Sequence, residues 1–196
     1  MPLSTRQRLV AAAQKRFYRD GFRNVGIDQI LTDIGISRTA FYKHFASKDD
    51  LMLEVLESQN RWLQDRFRDM IRERGGESAL GQLKGLFDVV EQIIESDEFH
   101  GCIFVNAAME FPLPHDPAHE AAARNKQAIG QIVHELAERA GAASPAALSQ
   151  ELCLIMEGVY VTRQVTGERR AIDIARRLSD RAIAGHLGEQ KNERPT

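Results

Sequence analysis

Cysteine and long apolar runs are scarce in this sequence. Only Cys102 and Cys153 occur among its 196 residues. Two cysteines cannot form the disulfide framework of a small secreted protein, and no Cys-x-x-Cys pair is present. The longest apolar stretches, such as residues 9–13, are far shorter than the roughly 18 residues of a membrane-spanning helix. The opening residues lack the charged and then apolar order of a secretory signal. We therefore expect a cytoplasmic protein with no membrane partner.

Sequence signatures of catalysis are also missing. The chain contains no Gly-rich phosphate loop and no Gly-x-Ser-x-Gly motif. His115 and His119 are four residues apart next to Asp116 and Glu120, but Pro117 between them argues against the regular helix that would align them as metal ligands. We therefore predict that the protein is not an enzyme and uses no cofactor or metal.

The formal net charge of −2 conceals an uneven distribution. Residues 1–48 contain nine basic and three acidic side chains, a net charge of +6. The remaining residues contain 17 basic and 25 acidic side chains, a net charge of −8. A basic segment joined to an acidic body is typical of a protein that binds a polyanion at one end. The alternative is a chance clustering of surface charge.

Apolar residues recur with helical spacing along the chain, and no segment alternates as a β-strand does. Leu9, Ala13 and Phe17 mark one face of a first helix, and Ser4 with Gln7 forms a capping box before it. Glycine and proline divide the rest into further helices. We predict an all-α protein of about nine helices, with later helices near 27–34, 37–45, 47–74, 78–95, 99–111, 118–139, 144–165 and 170–187.

Residues 27–45 form the most informative pattern. A short amphipathic helix, a turn at Gly35 and a second short helix give a helix-turn-helix arrangement. Phe41 and Phe45 face inward on the second helix, whereas its outer side is polar and basic. Such side chains suit base edges and phosphate oxygens in a major groove. The outer residues are Arg38, Thr39, Tyr42, Lys43 and His44.

The stretch from Phe17 through Gly21-Phe22 and Ile30 to the run Gly35–Leu51 resembles the DNA-binding domain of the tetracycline-repressor (TetR) family. The likeness covers residues 5–51 and includes the pattern G-I-S-R-T-A-F-Y-K-H-F-A-S-K-D-D-L. It implies a sequence-specific transcriptional regulator, typically a repressor released from its operator by a small-molecule ligand. Val25-Gly26 stands where members commonly have Thr-Thr, so a side-chain phosphate contact at that position is not expected.

The resemblance also assigns individual DNA contacts. Tyr42 and His44 match residues that touch the DNA backbone, and Lys48 matches a phosphate contact. Arg38, Thr39 and Lys43 match the base-reading positions. Asp28, in the first turn of the second helix, favours that helix through its dipole, but its negative charge does not help DNA binding.

For the rest of the chain the resemblance implies a ligand-binding and dimerisation domain. We expect a DNA-binding domain over 1–47, a second domain over 48–190 that begins with the linking fourth helix, and a flexible tail over 191–196. The last two helices would pair with their counterparts in a homodimer. Their apolar stripes could equally form the core of a single chain. A two-fold dimer would place its recognition helices about 34–36 Å apart on a near-palindromic operator.

A small-molecule effector needs an apolar cavity with a few convergent polar groups. Large apolar side chains and isolated polar ones in the middle of the chain are candidates for its lining, although each could instead belong to the core or reach solvent. The candidates are Trp62, Phe67, Phe87, Cys102, Phe104, Asn106, Met109, Glu110, Met156 and Tyr160. The effector itself cannot be identified from the sequence.

Cys102 supports an alternative function. Residues 101–110 resemble a G-C-x-x-x-N-x-x-x-E pattern found in a branch of the family, some members of which sense electrophiles or oxidants through cysteine. A thiol near a helix N-terminus ionises more readily, and the thiolate is the reactive form. The alternative is therefore a thiol-based repressor that senses electrophiles or redox state through Cys102, unless Cys102 is an inert buried side chain. A third possibility is a constitutive architectural DNA-binding protein with no ligand. The large second domain argues against it, because most of the chain would then have no function beyond dimerisation.

Overall fold

The computed structural model describes residues 3–188. These residues form nine α-helices and no strand, so the predicted all-α class is confirmed. None of these helices is both long and apolar enough to cross a membrane. The predicted tail over 191–196 lies outside the described residues. The helices are α1 Thr5–Asp20, α2 Ile27–Ile34, α3 Arg38–Tyr42, α4 Lys48–Gly75, α5 Ala79–Ile94, α6 Ile103–Glu110, α7 Pro117–Arg139, α8 Pro145–Thr166 and α9 Ala171–Gly188.

Serine side chains cap several of these helices, and the capping box predicted at Ser4 is among them. The Ser4 hydroxyl accepts a hydrogen bond from the Gln7 backbone N–H, and the Gln7 side chain accepts one from the Ser4 N–H. The Ser37 and Ser78 hydroxyls cap α3 and α5 by accepting the backbone N–H of Ala40 and of Gly81, respectively. Each cap satisfies a backbone N–H that has no partner inside the helix.

The chain divides into two compact units. The first contains the described residues up to Trp62 together with Cys102–Asn125, and the second contains Leu63–Gly101 with residues 126–188. Helices α1, α2, α3 and α6 therefore belong to the first unit. Helices α5, α8 and α9 belong to the second, whereas α4 and α7 each contribute a segment to both units.

Aromatic side chains form much of the core of the first unit. Phe17 and Phe22 are fully buried, and their rings stack at a centroid distance of 5.2 Å. Phe41 is also fully buried, and its ring lies 5.9 Å from that of Phe45. Helix α2 packs against both α1 and α3. These contacts hold α3 with its polar side outward, because its single fully buried aromatic anchors the opposite face.

Glycines allow the end of α4 and the start of α5 to come into backbone contact in the second unit. A Cβ placed on Gly75 would collide with the backbone of Gly81, and a Cβ on Gly81 would collide with the carbonyl oxygen of Gly75. A Cβ on Gly85, one turn further along α5, would lie 3.0 Å from the Gly75 nitrogen. Any side chain at Gly75 or Gly81 would therefore force the two helices apart.

The core of the second unit combines side chains from α4, α5, α7, α8 and α9. It includes the apolar stripes that the sequence showed on α8 and α9, among them Leu152 and Met156 on α8 and Ile172 and Ile183 on α9. These stripes are therefore buried within the chain, which is the second of the two interpretations considered above. A different set of apolar residues on α8 and α9 remains exposed.

That second set defines what we call the outer stripe. Leu154 and Val165 on α8 are 74% and 76% exposed, and Val161 lies between them on the same face. Ile174 and Leu178 are the exposed large apolar residues of α9. Gly158 lies on this stripe, and no atom of the described chain outside its own helix backbone lies within 4 Å of its Cβ position.

Helix α6 is shorter than its apolar pattern predicted. The pattern favoured a helix over 99–111, but α6 begins at Ile103. Gly101 has φ +88°, a conformation that interrupts a helix and that other residues rarely adopt. Phe99 lies before this break, where its ring stacks on Tyr160 at 6.1 Å.

Candidate nucleic-acid interface

The turn between α2 and α3 is built by the local sequence. Gly35 adopts the left-handed conformation at φ +65°, and the Ile36 N–H donates to the Leu31 carbonyl oxygen at 3.1 Å. This pattern closes the C-terminus of α2 and redirects the chain. Ser37 then caps α3, so the chain makes a sharp turn within three residues. The helix-turn-helix inferred from the sequence is thereby present.

Most of the predicted DNA-contacting side chains extend into solvent. Thr39, Tyr42, Lys43 and His44 are exposed, and within residues 3–188 the side chains of Thr39, Lys43 and His44 make no hydrogen bond or ion pair. The Tyr42 ring rests edge-on against Phe41 at 5.1 Å. One face of α3 is therefore polar, basic and available for binding.

Many basic side chains of the first unit are already paired with acids. Arg16 donates to Asp33 from Nε at 2.6 Å and from Nη2 at 2.7 Å, and Arg19 pairs with Asp20 at 2.7 Å. Hydrogen bonds from Arg19 and Arg16 lower the pKa of Asp20 to about 2. Fewer basic side chains of residues 1–48 are therefore available to DNA than their number suggested. Lys43 is among those with no partner in the described chain.

Arg38 differs from its neighbours on α3 because a second helix holds its side chain. Its guanidinium donates from Nε to Oδ1 of Asp28 at 2.7 Å, and from Nη2 to Oδ2. Both side chains are largely exposed, at 66% and 64%. Hydrogen bonding to Arg38 lowers the pKa of the Asp28 carboxyl, so this pair stays ionised at neutral pH.

Lys48 occupies a less open position than the resemblance implied. Its ammonium lies 3.4 Å from the Arg23 carbonyl oxygen and 5.9 Å from the centre of the Phe17 ring. Partial burial lowers the pKa of Lys48. Lys48 is thus held at the turn between α1 and α2, at the first residue of α4, where the free N–H groups of a helix start also favour an anion.

Glu110 at the end of α6 reaches the same turn. Its Oε1 accepts the Phe22 N–H at 2.9 Å, and its Oε2 accepts the Arg23 N–H at 2.7 Å. The Arg23 side chain donates from Nε to the Glu110 carbonyl oxygen at 2.8 Å and lies over the Phe111 ring at 4.8 Å. We call this set of contacts the α6 link. No spacing in the sequence indicated it, because it joins residues 87 and 88 positions apart.

The other effector candidates are distributed over both units. Phe67, Phe87 and Met156 are buried in the core of the second unit, and Tyr160 packs against that core. Phe104 is buried in α6, where Asn106 is half-buried. Trp62 is 58% exposed and Met109 is 77% exposed, so neither is enclosed by the described chain. The lining of an effector site remains a prediction.

The two cysteines lie in different surroundings. Cys102 is half-buried and occupies the N-cap position of α6 without a side-chain capping bond. Cys153 packs against the core of the second unit, and burial raises the pKa of its thiol to about 11. Cys153 is therefore a poor nucleophile, whereas a sensing role for Cys102 stays a prediction. No group of three metal-binding side chains occurs within residues 3–188.

Residues 1–48 are basic, and α3 is the exposed and Ser37-capped second helix of a helix-turn-helix within them. This combination defines the class of helix-turn-helix DNA-binding proteins. Comparison with known families agrees with this class. Residues 9–55 match the family described as bacterial regulatory proteins, tetR family, and residues 79–179 match the tetracyclin repressor-like, C-terminal domain. The chain belongs to the TetR family of transcriptional regulators.

Individual relatives support the same assignment. The HTH-type transcriptional regulator YjdC of Escherichia coli is 20% identical over 89% of this chain and 91% of its own. The HTH-type transcriptional repressor KstR2 of Mycobacterium tuberculosis is 30% identical over 54% of this chain and 52% of its own. The crystal structure of SCO4454, a TetR-family regulator from Streptomyces coelicolor, covers 93% of this chain and 95% of its own, with 28% identity and a TM-score of 0.83. The expected N-terminal helix-turn-helix and C-terminal helical domain are thus confirmed.

Proposed function

We propose that the protein is a homodimeric repressor that binds a near-palindromic operator and leaves it when a small molecule binds the C-terminal domain. The exposed polar face of α3 is the observation that carries this proposal. Within residues 3–188 the side chains of Thr39, Lys43 and His44 make no hydrogen bond or ion pair, so these polar groups are available to a nucleic acid. The relative KstR2 is named a transcriptional repressor, which also supports the proposal.

The proposed DNA contacts divide by function. Tyr42, His44 and Lys48 position the protein on the phosphate backbone, while Arg38, Thr39 and Lys43 read base edges in the major groove. Contacts of the first kind give affinity for any duplex, and contacts of the second kind give sequence preference. Sequence-specific binding therefore depends on α3, and salt dependence depends on the number of cations brought to the phosphates.

Replacing Lys43 by alanine is expected to weaken operator binding about tenfold or more, because one good base contact contributes about 1–3 kcal/mol. Fluorescence anisotropy would measure binding to DNA from the intergenic region beside the protein's own coding sequence, at several salt concentrations. Lys84→Ala is the matched control, since it removes the same charge from an exposed position on α5.

The two variants separate specific recognition from general attraction between charges. Lys84→Ala should bind the operator like the wild type. Wild-type protein that binds a scrambled duplex as tightly as the intergenic DNA would contradict a sequence-specific regulator. Equal losses in both lysine variants would contradict a role of α3 in recognition.

The outer stripe supports the homodimer. Leu154, Gly158, Val161 and Val165 recur at intervals of four, three and four residues, which places them on one face of α8. Ile174 and Leu178 repeat the interval of four on α9, and the two helices pack against each other. An exposed apolar face rimmed by polar residues is typical of a protein interface. In a two-fold dimer the same face serves both subunits.

The α6 link supports coupling between the effector and DNA. Helix α6 carries several of the effector candidates, and its last residue holds the turn that precedes α2. An effector that favours another position of α6 would change this turn, and with it the helix-turn-helix. By reciprocity, a coupling of this kind also lets DNA binding act on α6. That effect can be measured without knowing the effector.

Operator binding is expected to slow hydrogen exchange in both α3 and α6 of the wild type, but only in α3 of Glu110→Gln. A glutamine keeps one acceptor oxygen and replaces the other with an NH₂ group, which cannot accept the second backbone N–H. Hydrogen-exchange mass spectrometry with and without operator would measure both segments. Glu120→Gln, an exposed charge-matched variant at the start of α7, serves as control.

Two outcomes of the hydrogen-exchange experiment would contradict the coupling. If α6 of Glu110→Gln responds to operator as strongly as α6 of the control variant, the α6 link does not connect effector and DNA. If α6 of the wild type shows no response while α3 does, the two elements are uncoupled, although DNA binding itself would stand.

A further inference from the structure

We infer that Asp28 and Arg38 act together as a guanine-reading pair, in which the carboxylate of α2 orients the guanidinium of α3 toward one guanine in each operator half-site. The inference rests on the proposed function, and it adds a base identity and a specificity-determining residue outside the recognition helix. Its basis is the two-point contact between the side chains.

The contact uses one edge of the guanidinium and leaves another edge available. Asp28 accepts from Nε and from Nη2, which lie on the same side of the planar group. The outer edge, formed by Nη1 and the other N–H of Nη2, has no hydrogen-bond partner within residues 3–188. Two parallel N–H groups on one edge match the O6 and N7 acceptors of guanine, which is the commonest specific contact of arginine in the major groove.

The position of the Asp28–Arg38 pair is consistent with a contact to a base edge. Arg38 is the first residue of α3, and the first residues of a recognition helix are those that contact base edges. Asp28 is the second residue of α2 and lies outside the recognition helix. Asp28 already restricts the arginine side chain before DNA binds. Less rotational entropy therefore remains to be lost when the guanidinium contacts a base.

Fold stability does not account for the pair. Ion pairs between side chains as exposed as these contribute little to folding. An unpaired carboxylate beside the DNA would also repel phosphates. Pairing with Arg38 neutralises that charge, and the arginine can still donate to a base from its other edge. A two-point contact with a base requires an oriented guanidinium, and the contact with Asp28 supplies that orientation.

Selection from a randomised duplex library, followed by sequencing, tests the inference without a known operator. Full-length wild type, Asp28→Asn and Arg38→Ala would be compared. Asp33→Asn is the matched control, because it removes the same charge from the same helix and its partner is Arg16. Specific and scrambled duplexes would then be titrated by anisotropy, so that preference is separated from overall affinity.

We expect wild type and Asp33→Asn to select an inverted repeat containing one guanine per half-site whose preference disappears in Arg38→Ala. At that same position Asp28→Asn should lose about tenfold or more of the preference for guanine over the other bases, with preferences elsewhere retained. Binding of Asp28→Asn to the scrambled duplex should be unchanged or tighter, since a negative charge has been removed.

Three results would overturn the inference. Tighter binding of Asp28→Asn to every sequence with the guanine preference intact would make Asp28 a competitor for Arg38. A selected site with no guanine that depends on Arg38 would remove the base contact, although DNA recognition by the proposed repressor would stand. Selection of no sequence by the wild type would overturn the proposed function as well.

Discussion

Replacing Ile174 by glutamate is expected to convert the protein from dimers to monomers and to lower operator affinity by about 100-fold or more. Ile174 is an exposed apolar residue of the outer stripe. Two-fold symmetry would place two new carboxylates in the buried interface, and burial of unpaired charges is strongly unfavourable. A monomer loses the high effective concentration at which the second half-site is bound once the first is occupied.

Sedimentation velocity would report the oligomeric state, and anisotropy would compare a full operator with a single half-site. The affinity of the variant for a single half-site should equal that of one wild-type subunit, since only the linkage between the two half-sites is lost. The substitution itself favours folding of α9, because a glutamate in the first turns of a helix interacts well with the helix dipole.

Ala184→Glu provides the matched control on the same helix. Ala184 is also exposed, but it lies about a quarter turn away from the stripe, on the helix face that carries Asp173, Arg177 and Asp180. The Ala184→Glu variant should remain dimeric. If Ile174→Glu stays dimeric as well, the outer stripe is not the interface, and the apolar face of α8 and α9 needs another occupant.

The second large effect is expected from Phe41→Ala, which should abolish operator binding while the dimer persists. Removing a buried phenylalanine side chain costs about 3–5 kcal/mol. Phe41 is fully buried and is the residue that anchors α3. A loss of this size is a large part of the stability of a small domain, so α3 would no longer be held with its polar face outward.

Limited trypsin digestion would locate the damage, because residues 1–48 contain nine lysine and arginine residues at which the enzyme can cut. Cleavage within this segment should be much faster in Phe41→Ala than in wild type. Phe41→Leu keeps most of the apolar volume and should lose less than about 1.5 kcal/mol. Equal cleavage of wild type and Phe41→Ala would show that the aromatic ring is dispensable for this unit.

The local features of the fold could be predicted from the sequence. Serine caps at Ser4 and Ser37, and a glycine stop at Gly35, are decided within a few residues, so their positions alone indicate helix ends. The recognition helix also follows from local signals, because the inward Phe41 and the outward polar side chains alternate with the helical period. The limit of α6 was missed, since an apolar run continues across the break at Gly101.

The features that depend on distant contacts could not be predicted. The sequence showed Asp28 as an acid near DNA, but its pairing with Arg38 depends on the angle between α2 and α3. Glu110 was a candidate pocket residue, yet its carboxylate binds a turn far away in the chain. On α8, apolar residues occupy opposite faces, with Leu152 in the core and Leu154 outside, so periodicity could not identify the exposed stripe.

The α6 link has a consequence for how such a regulator can diversify. Glu110 binds the main-chain N–H groups of residues 22 and 23, and every amino acid except proline supplies that donor. Side chains at this turn can therefore be exchanged without removing the carboxylate's two partners. Changes in α2 and α3 that redirect the protein to another operator would likewise leave these donors in place. Under the proposed coupling, which DNA is read and whether its reading responds to α6 would be altered independently.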